Sequence, residues 1–151
     1  MRTTHRNYDE ERGDFRLVCR FLVTHNAHLR RHSTWCLGRF VDWKYGLYES
    51  KTCYADFCGE NAHLWFDAFD ELAGVVIAES GGADWAALTS EGYRFLFAEM
   101  VDWALAHWSS RPGAPSFELT EHQTVEAGLL EQRRFVAADT FWMRRFDLIQ
   151  P

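Results

Sequence analysis

At 151 residues the chain has the length of one domain and can bury a core of its own. Hydrophobic residues make up 47% of it and aromatics 16%, with 7 Trp and 12 Phe, which is too much apolar surface to leave in water and excludes a disordered chain. A formal net charge of −6 argues against a nucleic-acid partner, whose phosphates select a basic surface, and no apolar run reaches the roughly 18–20 residues of a membrane helix.

The opening residues, MRTTHRNYDEERGDF, lack the apolar stretch of a signal peptide, so a soluble cytoplasmic protein is expected. Asp9 suits a helix N-cap, with Glu10 and Glu11 at the positive end of the helix. Phe15, Val18, Cys19 and Leu22 then recur at helical spacing and predict a first helix to about Thr24. Trp35, Phe40, Trp43 and Leu47 mark a second helix over residues 35–48, with a looser period. Cys19, Cys36, Cys53 and Cys58 form no CxxC pair, and a chain of this length needs no staples, so free thiols are expected.

From Ala62 the pattern changes. HLWFDAF and LAGVVIA are short runs rich in aromatic and β-branched residues, joined at Asp70–Glu71, and they predict a hairpin whose second strand is buried on both faces. Gly81–Gly82 turns the chain back into a third strand, Asp84 to Leu88. The next helix has two apolar stripes, Leu96, Met100, Trp103, His107 and Phe97, Val101, Ala104, Trp108, a face broad enough to cover a sheet. SSRPGAP ends it and leads into the strand FEL. Thr120-x-x-Gln123 reads as a capping box opening a helix to about Phe135, and a last strand is expected over residues 140–148. A helix joining two strands favours a parallel pair with a right-handed crossover.

This order resembles the GNAT superfamily of N-acetyltransferases. The likeness rests on two early helices, a three-strand meander, a helix at the end of the third strand, and the closing segment FELTEHQTVEAGLLEQRRFVAADTFWMRRFDL, where the family's "GF" pair reads Arg134–Phe135. Residues 30–59 contribute little to it. The opening YDEERGDFRLVCRFL is similar to divergent members, in particular to the N-terminal half of tandem-domain acetyltransferases. The resemblance implies a single α/β (α+β) GNAT-like domain over residues 1–151. Its fold would have a mixed central sheet with an antiparallel meander, a parallel pair after the third helix, and helices on both faces.

The resemblance also implies acetyl-CoA as co-substrate and an amine, small-molecule or protein, as acceptor. The coenzyme would lie along Ala87 and Leu88, with Thr89, Ser90 and Arg94 at the helix N-terminus for phosphate. The family's glycine-rich pyrophosphate loop is not repeated. Tyr93, Phe95 and Phe97 fall where its glycines would lie, and Glu91 adds a negative charge, so a degenerate loop with weakened or lost coenzyme binding is expected. The tyrosine that protonates the leaving thiolate in many members is replaced by Leu130.

For proton transfer, Glu121 and His122 lie at the end of the fourth strand, where either could act as catalytic base; they equally suit the solvated first turn of a helix. His25, His28 and His32 share one helical face with Cys36 a turn further on, a spacing that suits a metal or, more simply, a polar helix end, and no metal is expected. Trp35, Trp43, Tyr45 and Tyr48 read either as an aromatic wall for an amine or as packing against the sheet. Arg144 and Arg145 read as charges on an exposed edge. Two functions remain in play: an acetyl-CoA-dependent N-acetyltransferase, and a non-catalytic GNAT-like domain serving as an interaction or ligand-sensing module, as a homodimer or beside a partner GNAT domain.

Overall fold

A five-stranded sheet in the order β1-β2-β3-β4-β5 organises the chain, with every neighbouring pair antiparallel except β4 and β5, which are parallel. The computed structural model describes residues 2–29, 33–47 and 57–140. The strand expected over residues 140–148, with Arg144 and Arg145, therefore lies outside the described residues but for its first position. So do Cys53, His32, Tyr48 and the side chain of His28.

The chain opens on a strand, β1 (Thr4–Asn7), whose sequence THRN is polar throughout and carries no alternation. Pairing places it: it lies antiparallel against β2 (Ala62–Phe66), with Asn7 opposite His63. Asp9 is a cap, as its residue type suggests, but of a single 3-10 turn: its carboxylate accepts the Glu11 N–H at 3.0 Å. Gly13, at φ 77, then redirects the chain, and α1 runs from Asp14 to Leu29. It starts later and ends later than the apolar spacing predicts, which brings His25 inside the helix.

Helix α2 (Leu37–Tyr45) is stopped by Gly46 at φ 62. Trp35, Phe40 and Trp43 are buried against α1 and the sheet, while Tyr45 and Leu47 stay exposed, so the tryptophans serve packing. Between β2 and β3 (Leu72–Ile77), Asp67 builds the turn. Its carboxylate accepts the N–H groups of Phe69 (2.8 Å) and Glu71 (3.0 Å), which pulls Phe69 out of the strand and into solvent.

β4 (Asp84–Thr89) follows the Gly81–Gly82 turn, and α3 (Leu96–Trp108) covers the sheet with the stripes read from the sequence. Gly82 is needed for close approach: a Cβ there would sit 2.8 Å from the Pro112 carbonyl oxygen, which also accepts the Ala83 N–H. Gly82→Ala should therefore cost about 1–3 kcal/mol in urea unfolding, because backbone must move to admit the methyl. An unchanged midpoint would show that this approach is not tight.

β5 is only Ser116–Phe117, and α4 spans Thr124–Gln132. The Thr120/Gln123 pair does not cap α4 from Thr120. Gln123 Oε1 instead accepts both the Thr120 N–H and its hydroxyl, closing a turn, and the helix begins four residues later. Past α4, Arg134 takes φ 67, the left-handed conformation that glycine favours, in the position read as the glycine of the "GF" pair. Phe135 then packs on Phe117 with ring centroids 5.7 Å apart.

Two cores result, one on each face of the sheet. α1 and α2 bury Val18, Leu22, Phe40 and Trp43 against Leu64, Val75, Ile77 and Leu88. α3 and α4 bury Leu96, Phe97, Met100 and Leu130 against Trp65, Val76, Trp85 and Ala87. The mixed sheet, meander, parallel pair and helices on both faces match the expected class.

Candidate functional site

The site is formed where β4 and β5 part. Their parallel register covers only Asp84–Ser116 and Trp85–Phe117, and the Glu118 N–H to Trp85 carbonyl bond (3.0 Å) follows it. On its other edge β4 stays paired with β3 through Ser90, whose N–H donates to the Ala73 carbonyl at 2.8 Å. Peptide groups alternate sides along a strand, so Ala87 and Thr89 face the same edge as Trp85, toward the gap that β5 leaves.

A cavity of about 530 Å³ opens beside this gap. Helix α1 contributes Leu17, Arg20, Phe21, Thr24 and His25 to its wall, and β3 with its preceding turn contributes Leu72 and Glu71. β4 and the chain after it contribute Leu88, Thr89, Ser90, Glu91 and Arg94, and the approach to α4 contributes Thr120, His122, Gln123 and Glu126.

Of the coenzyme candidates, Leu88, Thr89, Ser90 and Arg94 line this cavity, and Ala87 is buried under α3 with its peptide on the β5 edge. A 3-10 turn, Glu91–Tyr93, separates β4 from α3, and its cap Ser90 makes no side-chain capping bond. The three rings expected at the phosphate loop have different surroundings. Tyr93 donates its hydroxyl to Asp67 Oδ2 at 2.7 Å, Phe95 is 55% exposed, and Phe97 is buried in the core under the sheet. A Cβ built on Gly92 meets nothing within 4 Å, so the approach over that residue is open.

Arg94 does not stand free. Its guanidinium grips Glu126 through three bonds of 2.8–3.0 Å, and that carboxylate is buried. A bidentate pair of this kind is strong and directional, so much of the Arg94 charge is already answered within the chain.

The two base candidates separate. His122 lines the cavity at 40% side-chain exposure, whereas Glu121 is 79% exposed and reaches His122 Nε2 from outside at 3.3 Å. The position read as the missing tyrosine, Leu130, is buried in the core below α3. Among the described residues no three His, Cys, Asp or Glu side chains gather as a metal site would require. No helix among those residues is long and apolar enough to cross a membrane.

One residue that the sequence did not mark as catalytic is drawn into the wall. His25 bonds through Nδ1 to the Thr89 carbonyl oxygen at 3.1 Å and stacks on Phe21. Its burial lowers its pKa below the ordinary 6.5, with the Thr89 carbonyl acting in the opposite sense. Nothing local distinguishes it from His28 or His32; the contact joins residues 64 positions apart.

The parted strands, the cavity at the end of β4 and the two-faced helical cover define the GNAT fold. Solved structures share it. The chain superimposes on a spermidine N-acetyltransferase from Vibrio cholerae in complex with CoA and spermine with a TM-score of 0.55 and 12% identity, covering 94% of this chain and 88% of that one. A dodecameric structure of a Vibrio cholerae spermidine N-acetyltransferase gives 0.56 and 13%, over 91% and 81%. A possible acetyltransferase from Clostridium difficile 630 gives 0.52 and 9%, over 98% and 99%. No family model and no curated protein sequence matches the chain.

Coenzyme A, implied by this fold, can be tested against the residues present. The β5-facing edge of β4 offers peptide groups at Ala87 and Thr89 beside apolar Leu88 and Leu17, which suits an acyl-pantetheine arm. The approach over Gly92 is open, but Ser90 begins only a three-residue 3-10 turn, and α3 starts at Leu96 with Phe95 as its cap, so Thr89 and Ser90 do not stand at the N-terminus of that helix as the sequence suggests. Glu91 and the Glu126-bound Arg94 make that end less electropositive than a free arginine would.

Proposed function

We propose that the protein is an acyl-CoA-dependent N-acyltransferase that moves an acetyl group to an amine. The observation that carries the reading is the gap between β4 and β5, opening on a cavity of about 530 Å³ lined by Leu88, Thr89, Ser90 and Arg94. In this reading the peptide groups of Ala87 and the N–H of Thr89 hold the thioester arm, the Thr89 carbonyl being bonded to His25. Ser90, the turn after it and Arg94 hold phosphate. The coenzyme supplies an activated acyl carbon, so the chain's own work is to align an amine with that carbon and to take protons from it.

The acceptor is an amine, small-molecule or protein. Glu71 and Glu91 at the cavity favour one that arrives as a cation, and the solved neighbour holding spermine supports the same class. Glu121 and His122, at the mouth, pass the released protons to water.

Calorimetric titration with acetyl-CoA tests the reading. Micromolar binding is expected, weakened about tenfold in Arg94→Ala, because that change removes a charge-assisted donor and bares the Glu126 carboxylate toward phosphate. No heat and no thermal shift at millimolar acetyl-CoA would exclude the enzyme. The Arg94–Glu126 pair favours the second reading, a GNAT-like domain that senses a ligand or binds a partner without catalysis, and that titration result would select it.

A further inference from the structure

We infer that His25 is the general base of this cavity, taking a proton from the incoming ammonium at Nε2. The inference rests on the acyltransfer reading above and adds to it a residue from α1, outside the β4–α3 segment and the approach to α4.

The bond to Thr89 decides the tautomer. A carbonyl oxygen only accepts, so Nδ1 must carry the hydrogen, and in the neutral ring Nε2 then keeps its lone pair. The same bond, with the Phe21 ring stacked at 5.7 Å, holds the imidazole against the last residue of β4, where the two strands have parted. A base must be neutral before it can act. Burial pushes His25 below its ordinary pKa, against the opposing pull of the Thr89 carbonyl, and so favours the neutral ring.

Other titratable and charged groups face the same cavity. From α1 itself comes Arg20, which pairs loosely with Glu71 of the β2–β3 turn. Beyond β4 stand Glu91, at the surface, and Arg94, which is held by Glu126 of α4. His122, on the approach to α4, is shared with Glu121 and half open to water.

The chemistry balances with this base. The ammonium gives one proton to Nε2 and becomes the free amine. Its nitrogen attacks the thioester carbonyl carbon, the C–N bond forms, and the C–S bond breaks with its electron pair on sulfur. A second proton leaves the nitrogen as the thiolate takes one up, and the imidazolium returns the first proton to water.

The test uses the full-length protein with acetyl-CoA and a panel of amines that includes spermidine. For wild type, kcat/KM should rise with pH through a midpoint below 6.5 and then level off. His25→Gln keeps a donor for Thr89 but no base. It should lose about 100-fold in kcat/KM at pH 7 together with that acid limb, while the affinity for acetyl-CoA changes less than twofold. Added imidazole should restore part of the rate of His25→Ala. A third readout needs no turnover: in the free protein at pH 7, proton–nitrogen correlation spectra should show His25 with hydrogen on Nδ1 only.

An acid limb that persists in His25→Gln and vanishes in His122→Gln would overturn the inference. So would a doubly protonated His25 ring at pH 7, or a loss of coenzyme affinity equal to the loss of rate. A wild-type protein that binds acetyl-CoA but turns over no amine overturns it as well. A protein that fails to bind acetyl-CoA at all removes the acyltransfer reading first.

Discussion

Arg6→Met should destabilise the protein by about 3–5 kcal/mol and lower its melting temperature by about 10 °C, since each kcal/mol is worth roughly 2–4 °C at this chain length. Asp14, at the first turn of α1, has no exposed surface, and Arg6 of β1 grips both its oxygens, the Nη2–Oδ1 bond measuring 2.7 Å. Apart from Arg6, Asp14 accepts the Asp9 N–H at 2.8 Å. Methionine keeps much of the side chain's length but removes the guanidinium, which also lies over the Phe66 ring, leaving a carboxylate buried with one donor. The double variant Arg6→Met with Asp14→Asn should recover part of the loss, because no bare charge remains. A single variant that loses less than 1 kcal/mol in thermal or urea unfolding would refute this account. The consequence reaches the site, since this pair moors the N-terminal turn of the helix that carries His25 at its other end.

Stability should also fall steeply in mild acid, and His63 on β2 is the main cause. The ring stacks on Trp103 with centroids 3.7 Å apart, and its Nδ1 donates to Asn7 Oδ1 at 2.6 Å. Its Nε2 must then accept from His5 Nδ1 at 2.8 Å, so a second proton on His63 would meet another donor. Burial, followed by repulsion from His5, His107 and Arg6, pushes its pKa down to about 3.

The unfolded chain takes that proton near the ordinary 6.5, and the folded protein does not. The stabilising contribution of neutral His63 is therefore complete above about pH 6.5 and is lost progressively as the pH falls toward about 3. The slope cannot exceed about 1.4 kcal/mol per pH unit for one group, so a loss of about 2 kcal/mol is expected between pH 6.5 and 4.5. His25, also lowered by burial, adds the same sign. His63→Phe keeps the stack and removes the titration. It should be less stable at pH 7 yet show a shallower dependence in urea unfolding from pH 7 to 4.5. Parallel slopes for the two proteins would refute the assignment.

The elements legible in the residues are those whose signal is local. The double stripe from Leu96 to Trp108 became α3, facing the sheet as its spacing requires. LAGVVIA became the central strand β3, and Gly81–Gly82 became the tight turn behind it, with Gly81 at φ 74. The elements missed have no such signal. THRN is a strand only because β2 offers it an edge, and the Thr120/Gln123 pair is a turn because Gln123 folds back on Thr120 rather than on a helix.

The site divides the same way. The sequence by itself determined that a strand end and a helix start meet at residues 87–94, that the segment bears one glycine, and that imidazoles and carboxylates occur on either side of it. Only the tertiary structure decided which of them face one another. It laid α1 across the end of β4 so that His25 meets Thr89, and it turned Arg94 onto Glu126, 32 residues away. It also sent the Tyr93 hydroxyl to Asp67 and the Phe95 ring into solvent. Periodicity and turn chemistry act over a few residues and survive in the order of the letters. The partner of a buried charge or ring nitrogen is set by how distant elements close on one another, a three-dimensional fact that no short stretch of sequence contains.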